Sequence, residues 1–252
     1  MKFIRDIGNT ALRYLKSQVQ TPYFLVFSIA QPIFWLVIFG QLFDGLFQAG
    51  NGISYIQYIT PGIIVMNVLF DAGYSGMSIV EDINYGLFEK ILVTPTSKGA
   101  IVFGSLLASI VSIFIQVGII LGIAVGMGFR FQGNVLDFLA MFLAVALLTF
   151  GFAGCSKAIA FATKKEDPVV IIINFITMPL LFLSSILLPT DSLPKWAKVL
   201  SGCNPLEHTV RIVREFSYQN TGYNVGRDYL FLVVFAGIAF FLCVKAIHKC
   251  LD

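Results

Sequence analysis

The longest polar interruption between two apolar segments on the predicted cytoplasmic side is EDINYGLFEKILVTPTSKG, residues 81–99. Ile83, Leu87 and Ile91 recur at i, i+4 and i+8, which predicts an apolar stripe on a short amphipathic helix. Such a helix between two membrane spans lies at the lipid headgroups, forms part of a solvated loop, or docks a partner protein. The whole chain is organised on either side of this stretch.

The ends of this helix are also predicted by the sequence. Glu81 and Asp82 are expected at its N-terminus, where the helix dipole favours negative charge. Thr94 precedes Pro95, and the residue before a proline disfavours helical conformation. The helix is therefore predicted to run from Glu81 to about Leu92.

The composition indicates a membrane protein. Of 252 residues, 57% are hydrophobic and 12% are charged, against about 25% charged residues in a typical soluble domain. Because a bilayer admits only helices or closed barrels, these long apolar runs predict an all-α integral membrane protein. The net charge of +3 is spread along the chain and gives no indication of a nucleic-acid partner.

Six segments are close to the roughly 20 apolar residues that a membrane-spanning helix needs. They are residues 23–43, 58–78, 100–126, 136–161, 169–188 and 229–246. Residues 1–20 carry apolar side chains at helical spacing among Lys and Arg, which predicts an amphipathic helix on the membrane lipid. A frayed basic tail is the alternative. The chain is thus predicted to form one transmembrane domain, residues 1–252.

Basic residues predict the orientation. Eleven of the 17 Lys and Arg residues fall in segments that are cytoplasmic if the N-terminus is cytoplasmic. Five of the other six lie in one long segment, residues 189–228, where the charge rule is weak. We therefore expect both termini in the cytoplasm and the protein in the inner (plasma) membrane.

The long outer segment between the fifth and sixth predicted spans contains two short helical patterns. Pro194 is placed to open the first, and the break between them falls at Asn204 and Pro205. Glu207 and Arg211 form an i, i+4 pair of opposite charge in the second. The segment is either an amphipathic outer loop or a pair of helices within the outer leaflet.

Four polar residues within the predicted spans suggest a substrate path. Asn67 and Asp71 are four residues apart on the second span, and Gln31 and Asn174 lie at comparable depth in the first and fifth. An intramembrane carboxylate indicates a functional site. The alternative is that Asp71 only orients the bundle by binding a donor on a neighbouring helix, for which Lys157 is a candidate.

No arrangement of residues predicts catalysis. The sequence G-x4-G-K-[ST] is absent, so the chain lacks this phosphate-binding loop. Its two histidines, His208 and His248, are far apart in sequence and lie outside the predicted spans. We therefore predict no catalytic residue, no metal site and no cofactor in this chain.

Three motifs resemble those of a known family. They are E-D-x3-G-x2-E-x-[IL]-x2-T-P at residues 81–95, the pair Pro61-Gly62, and L-P-x-W with N-P-L at residues 193–196 and 204–206. Together they resemble the ABC transporter type-2 permeases, the group of drug and lipid exporters that includes daunorubicin-resistance permeases. The resemblance covers nearly the whole chain.

The resemblance implies a role for two segments. It implies that the polar loop, residues 81–97, contacts a separate ATPase subunit. The residues implied in this contact are Glu81, Asp82, Gly86, Leu87, Glu89, Thr94 and Pro95. It also implies that the outer helices re-enter the membrane and form a gate. The residues implied in this gate are Pro194, Trp196, Asn204, Pro205, Glu207 and Arg211.

The resemblance also implies an assembly and a function. ATP and Mg²⁺ would bind the partner ATPase, present in two copies, and the permease would pair with itself or a related permease. Polysaccharide-exporting members usually carry a Gly-Trp pair before the first span, which this chain lacks. We therefore expect export of a hydrophobic drug, a lipid or a lipid-linked substrate. The alternatives are an ATPase-independent secondary carrier or channel, and an intramembrane enzyme acting on lipid.

Overall fold

The structure, a computed structural model, describes residues 2–20, 22–42, 54–86, 98–186, 194–218 and 222–251. Over these ranges the chain forms α-helices joined by turns, without a β-strand, which confirms the predicted all-α fold. The helices are α1 (Lys2–Gln20), α2 (Pro22–Leu42), α3 (Tyr55–Tyr74), α4 (Met77–Asn84), α5 (Lys98–Gly126), α6 (Val135–Thr163), α7 (Glu166–Phe182), α8 (Lys195–Ser201), α9 (Pro205–Tyr218) and α10 (Val225–Leu251).

Four helical segments in the described ranges are long and apolar enough to cross a membrane. They are Tyr55–Asn84, Gly99–Gly126, Val135–Thr163 and Val225–Lys249. Helices α2 and α7 lie where the first and fifth spans are predicted, and α2 contains the apolar helical segment Ser28–Leu42. The 17 residues of α7 extend about 26 Å, short of a roughly 30 Å hydrocarbon core. The six-span arrangement therefore stays a prediction.

Helix α3 is central to the bundle. It is the most buried of the four candidate spans, and α10 is the least buried. Large apolar side chains such as Phe175 and Phe182 of α7 and Phe241 of α10 are exposed. This distribution is expected where a helix bundle faces lipid, because apolar side chains on that surface need no burial in protein.

Glycine allows close contact between α3 and the chain after α7. Helix α3 continues through Pro61, and a Cβ atom on Gly62 would lie 2.5 Å from the carbonyl oxygen of Ile186. Real Cβ atoms do not approach a backbone atom so closely. Gly62 therefore has a packing role in this protein.

The helix at the polar loop begins earlier than the sequence predicts. A turn at Ser75 and Gly76 leads from α3 into α4, and Gly76 has no room for a Cβ atom beside Ser156. After α4 the backbone of Gly86 takes a φ of 63°, a left-handed conformation that ends the helix. Two glycines therefore set the limits of this helix.

These limits correct one prediction. Glu81 and Asp82 lie in the C-terminal half of α4, so the expectation that they begin a helix is wrong. The physical reason is that the helical course of α3 resumes after a two-residue turn instead of ending before the polar loop. Residues 87–97, where the predicted helix was expected to continue and stop, lie outside the described residues.

Candidate functional site

A chain of hydrogen bonds joins α3 to α5 inside the bundle. Nδ2 of Asn67 donates to Oε1 of Gln116 (3.0 Å). Nε2 of Gln116 donates in turn to Oδ1 of Asp71 (3.0 Å) and to Oγ of Ser112 (3.3 Å). Because Asn67 and Asp71 are one turn apart on α3, a single glutamine holds both. Asp71 thus binds a donor on a neighbouring helix, but the donor is Gln116 and not Lys157.

Lys157 of α6 is 1% exposed. Its Nζ donates to the carbonyl oxygen of Ser105 (2.7 Å) and to Oγ of Ser109 (2.9 Å), both on α5. Two of the three ammonium protons therefore have acceptors on one helix. Lys157 and Asp71 attract each other electrostatically, although each makes its hydrogen bonds with other groups.

Two adjoining cavities lie beside these residues. The α2 cavity, between α2 and α3, has a volume of about 200 Å³. Its lining consists of Ser28, Gln31, Pro32, Met66, Asn67, Phe70, Asp71 and Tyr74. The α1 cavity has a volume of about 260 Å³. Its lining consists of Tyr14, Ser17, Gln18, Asp71, Tyr74, Ser75, Met77, Ser78, Glu81, Ser105, Ala108, Ser109 and Lys157. Asp71 and Tyr74 line both, so the cavities meet at that turn of α3.

The two cavities differ in chemical character. The α1 cavity is lined by five serines and by the charged residues Asp71, Glu81 and Lys157. Four of the eight residues that line the α2 cavity are apolar or aromatic and most of its surface is apolar, with Asp71 as its one charged lining residue in the part of the chain that the structure describes. A cavity with several charged and hydroxyl groups therefore lies beside a more apolar one.

The structure brings three of the four residues of the predicted path together in one cavity, and the fourth lies beside it. Gln31, Asn67 and Asp71 line the α2 cavity. Asn174 of α7 accepts a hydrogen bond from the hydroxyl of Tyr74 (2.7 Å), which lines both cavities. The sequence analysis missed Gln116, although a buried glutamine in the middle of an apolar helix is a recognisable signal.

A second polar contact fixes α1 to α4. Nη1 and Nη2 of Arg13 donate to Oδ1 (3.0 Å) and Oδ2 (2.5 Å) of Asp82, and the hydroxyl of Tyr14 donates to Oδ2 (2.6 Å). The Arg13 guanidinium also lies over the Tyr14 ring, 4.3 Å from its centroid. Burial, and then the negative charge of Asp82, raise the pKa of Tyr14 well above its ordinary value, so its hydroxyl remains a donor. This bidentate ion pair holds two helices that are distant in sequence.

Three of the seven residues implied in ATPase contact are described. Asp82 is buried beneath Arg13 and Tyr14, so its carboxylate holds α1. Glu81 is exposed and also lines the α1 cavity, and Gly86 is partly buried at the turn after α4. The other four lie outside the described residues: Leu87, Glu89, Thr94 and Pro95.

Near the other end of α3, Glu207 of α9 points into the protein. It is 1% exposed. Its Oε2 accepts a hydrogen bond from the backbone nitrogen of Ser185 (2.6 Å), and its Oε1 accepts one from Nε of Arg211 (2.9 Å). The predicted pair of Glu207 and Arg211 therefore forms within one chain, with Arg211 partly exposed.

Arg214, which the sequence analysis did not single out, completes this cluster. Its Nη1 and Nη2 donate to Oγ (2.9 Å) and to the carbonyl oxygen (2.6 Å) of Ser185. Its guanidinium lies over the ring of Tyr58 in α3, 4.1 Å from the centroid. Arg214 follows Glu207 by two helical turns, so the spacing itself places both on one face of α9.

The remaining residues of the predicted outer gate are divided between the interior and the surface. Nδ2 of Asn204 donates to two carbonyl oxygens at the C-terminal end of α7, at 2.7 and 3.2 Å. Pro205 is the first residue of α9, and Pro194 directly precedes α8. Trp196 of α8 is 64% exposed. Asn204, between α8 and α9, is thus hydrogen-bonded to the end of α7, while α8 exposes the apolar side chain of Trp196.

Long apolar helices, buried ionisable groups and an interior polar cavity define a multi-pass membrane protein. Residues 9–218 match the family described as ABC-2 type transporter, and the chain belongs to that family. The predicted likeness to this family is therefore confirmed.

Several curated proteins are similar over most of the chain. A putative transport permease, ycf38, from Cyanophora paradoxa is 28% identical over 267 aligned residues, which cover 98% of this chain and 90% of that protein. The daunorubicin resistance ABC transporter permease protein DrrB1 from Streptomyces coeruleorubidus is 27% identical, covering 86% of this chain and 76% of that protein. The inner membrane transport permease YadH from Escherichia coli K12 is also 27% identical, covering 94% of this chain and 91% of that protein.

Proposed function

We propose that this chain is the permease subunit of an ATP-driven exporter in the inner membrane, served by a separate ATPase that binds ATP and Mg²⁺. Its substrate is a hydrophobic drug, a lipid or a lipid-linked molecule. Membership of the ABC-2 type transporter family supports a transport role. The relative named for daunorubicin resistance supports the choice of drug-like substrates.

The contact of Arg13 and Tyr14 with Asp82 is the observation that carries this proposal. It joins α1 to Asp82 of α4, which lies at the start of the polar loop, residues 81–97, that would meet the ATPase. Helix α4 continues from α3, which lines both cavities. A movement of the loop would therefore pass to the cavity walls through α4 and α1 together.

The assembly we propose has two permeases and two ATPase subunits. Each permease has six spans and both termini in the cytoplasm, and the second permease is the same chain or a related one. Helices α8 and α9 form the outer gate in the outer leaflet. The exposed side chains of Trp196 and Leu200 in α8 support contact with lipid there. The buried hydrogen bonds of Glu207 hold α9 against the bundle.

Purification from the native membrane tests this function. A soluble ATPase in stoichiometric amount is the expected result, with ATP-dependent export in membrane vesicles. Transport that follows an ion gradient without a partner would support a secondary carrier or channel. Conversion of a lipid by the purified chain would support an intramembrane enzyme.

The variant Asp82→Asn tests the coupling contact. It removes the negative charge that Arg13 binds and should weaken the α1–α4 contact. The loss should be only about 1–2 kcal/mol, because Arg13 is partly exposed to solvent. We expect export to fall while ATPase association persists. Asp167→Asn, at an exposed position at the start of α7, is the matched control and should leave export unchanged. Normal export with Asp82→Asn would exclude this contact from coupling.

A further inference from the structure

We propose that the α1 and α2 cavities form one binding site for a cationic amphiphile, with its charged head beside Asp71 and its apolar body in the α2 cavity. The proposal rests on the proposed export function for its physiological meaning. The binding itself needs only this chain, because all the residues that carry it belong to α1–α6.

The distribution of charge favours a cation. Asp71 receives one hydrogen bond from a neutral amide, that of Gln116. Among the described residues, no Lys, Arg or His side chain makes an ion-pair contact with Asp71. Lys157 attracts Asp71 without touching it. A carboxylate inside a membrane protein without a cation in direct contact is unfavourable, so a bound cation supplies a closer counter-charge.

The only ammonium that lines the cavities in the described part of the chain, Lys157, is already engaged. Its hydrogen bonds to Ser105 and Ser109 hold it against α5. An anionic head in the α1 cavity would meet the two carboxylates of Asp71 and Glu81 against this single ammonium. A cationic head would instead be attracted by two carboxylates and repelled by one ammonium. The serine hydroxyls around it can replace part of its water shell.

The walls around Asp71 suit an amphiphile. Phe70 and Tyr74 flank the carboxylate on α3, and aromatic faces attract cations. Pro32 and Met66 supply apolar surface in the α2 cavity, and methionine adapts to ligands of different shape. Taken together, the two volumes fall within the range of about 300–1,000 Å³ that is typical of small-molecule sites.

Three fluorescent probes with one apolar body test the charge preference. They are trimethylammonium-diphenylhexatriene (cation), diphenylhexatriene (neutral) and diphenylhexatriene propionic acid (anion). The full chain is placed in nanodiscs of zwitterionic lipid, and energy transfer from tryptophan measures saturable binding above that of empty nanodiscs. We expect the cation to bind at least about tenfold more tightly than the other two probes.

Two substitutions at one position separate charge from shape. Asp71→Asn keeps an oxygen that accepts the Gln116 hydrogen bond but removes the charge, so the tenfold preference should disappear. Asp71→Glu keeps the charge and should retain most of the preference. Asp167→Asn, at an exposed position that lines neither cavity, should bind all three probes as the unchanged protein does. The unfolding temperature of each variant, measured without probe, reports its folding.

Each result decides the proposal. A cation preference that is lost in Asp71→Asn and kept in Asp71→Glu supports it. Equal binding of the three probes, a preference for the anion, or a cation preference that survives Asp71→Asn overturns it. If Asp71→Asn fails to fold, loss of the preference in a folded Asp71→Glu overturns it and retention supports it. No ATPase is present, so a negative result leaves the proposed exporter function standing, and a missing ATPase leaves this site standing.

Discussion

Removal of the Glu207 carboxylate should destabilise the outer end of the bundle. Glu207→Ala deletes the acceptor of two hydrogen bonds, one from the backbone of Ser185 and one from Arg211. The buried Ser185 nitrogen then has no partner, which costs about 1–3 kcal/mol. The side chain of Arg211 is 28% exposed and can turn to solvent, so loss of its ion pair with Glu207 adds only about 1 kcal/mol. We expect a total of about 2–4 kcal/mol.

The assay is reversible unfolding in mixed micelles, with Glu207→Ala, Arg211→Ala and the double variant measured together. The double variant should lose about 1–2 kcal/mol less than the sum of the two single variants, because the two charges are coupled. Asp167→Ala removes an exposed carboxylate and should change stability by less than about 1 kcal/mol. A loss for Glu207→Ala no larger than that of this control would refute the reasoning.

Three further predictions concern other parts of the chain. A raised pKa for Tyr14 contributes stability that is present below about pH 10 and is lost as pH rises, so Tyr14→Phe should make the decline in unfolding free energy above pH 10 less steep. Gly62→Ala should cost about 1–3 kcal/mol because its Cβ meets the carbonyl of Ile186, whereas Gly118→Ala, with open space, should not destabilise. Exposed Cys203 should react with a membrane-impermeant thiol reagent added from outside only, and labelling solely from the cytoplasmic side would contradict the proposed orientation.

The sequence predicts the class of fold well because apolar runs in a chain with few charges permit little else than membrane helices. It also predicts that Gln31, Asn67 and Asp71 lie close together, and they line one cavity, because polar side chains within membrane spans face the interior of the bundle. A substrate path through this cavity stays a prediction. The start of α4 is predicted wrongly. Two acidic residues suggest a helix N-terminus, but the helical course of α3 resumes after the turn at Gly76 and carries them to the other end.

Partners across long sequence separations could not be read from the pattern. Asp82 pairs with Arg13, 69 residues away, and Asp71 is held by Gln116, 45 residues away. Each pairing depends on how two helices are rotated about their axes, which packing decides. The sequence shows that a buried charge needs a partner, and only the folded bundle shows which residue supplies it.

The burial of Lys157 has a consequence for the synthesis of the protein. A lysine raises the free energy of inserting a helix into the bilayer by up to about 2.5–3.5 kcal/mol at the helix centre. Its acceptors, the Ser105 carbonyl and the Ser109 hydroxyl, belong to α5, which leaves the ribosome before α6. We expect α5 to remain beside the translocon until α6 emerges, so that the two helices enter the lipid as a hairpin in which the lysine ammonium is already hydrogen-bonded.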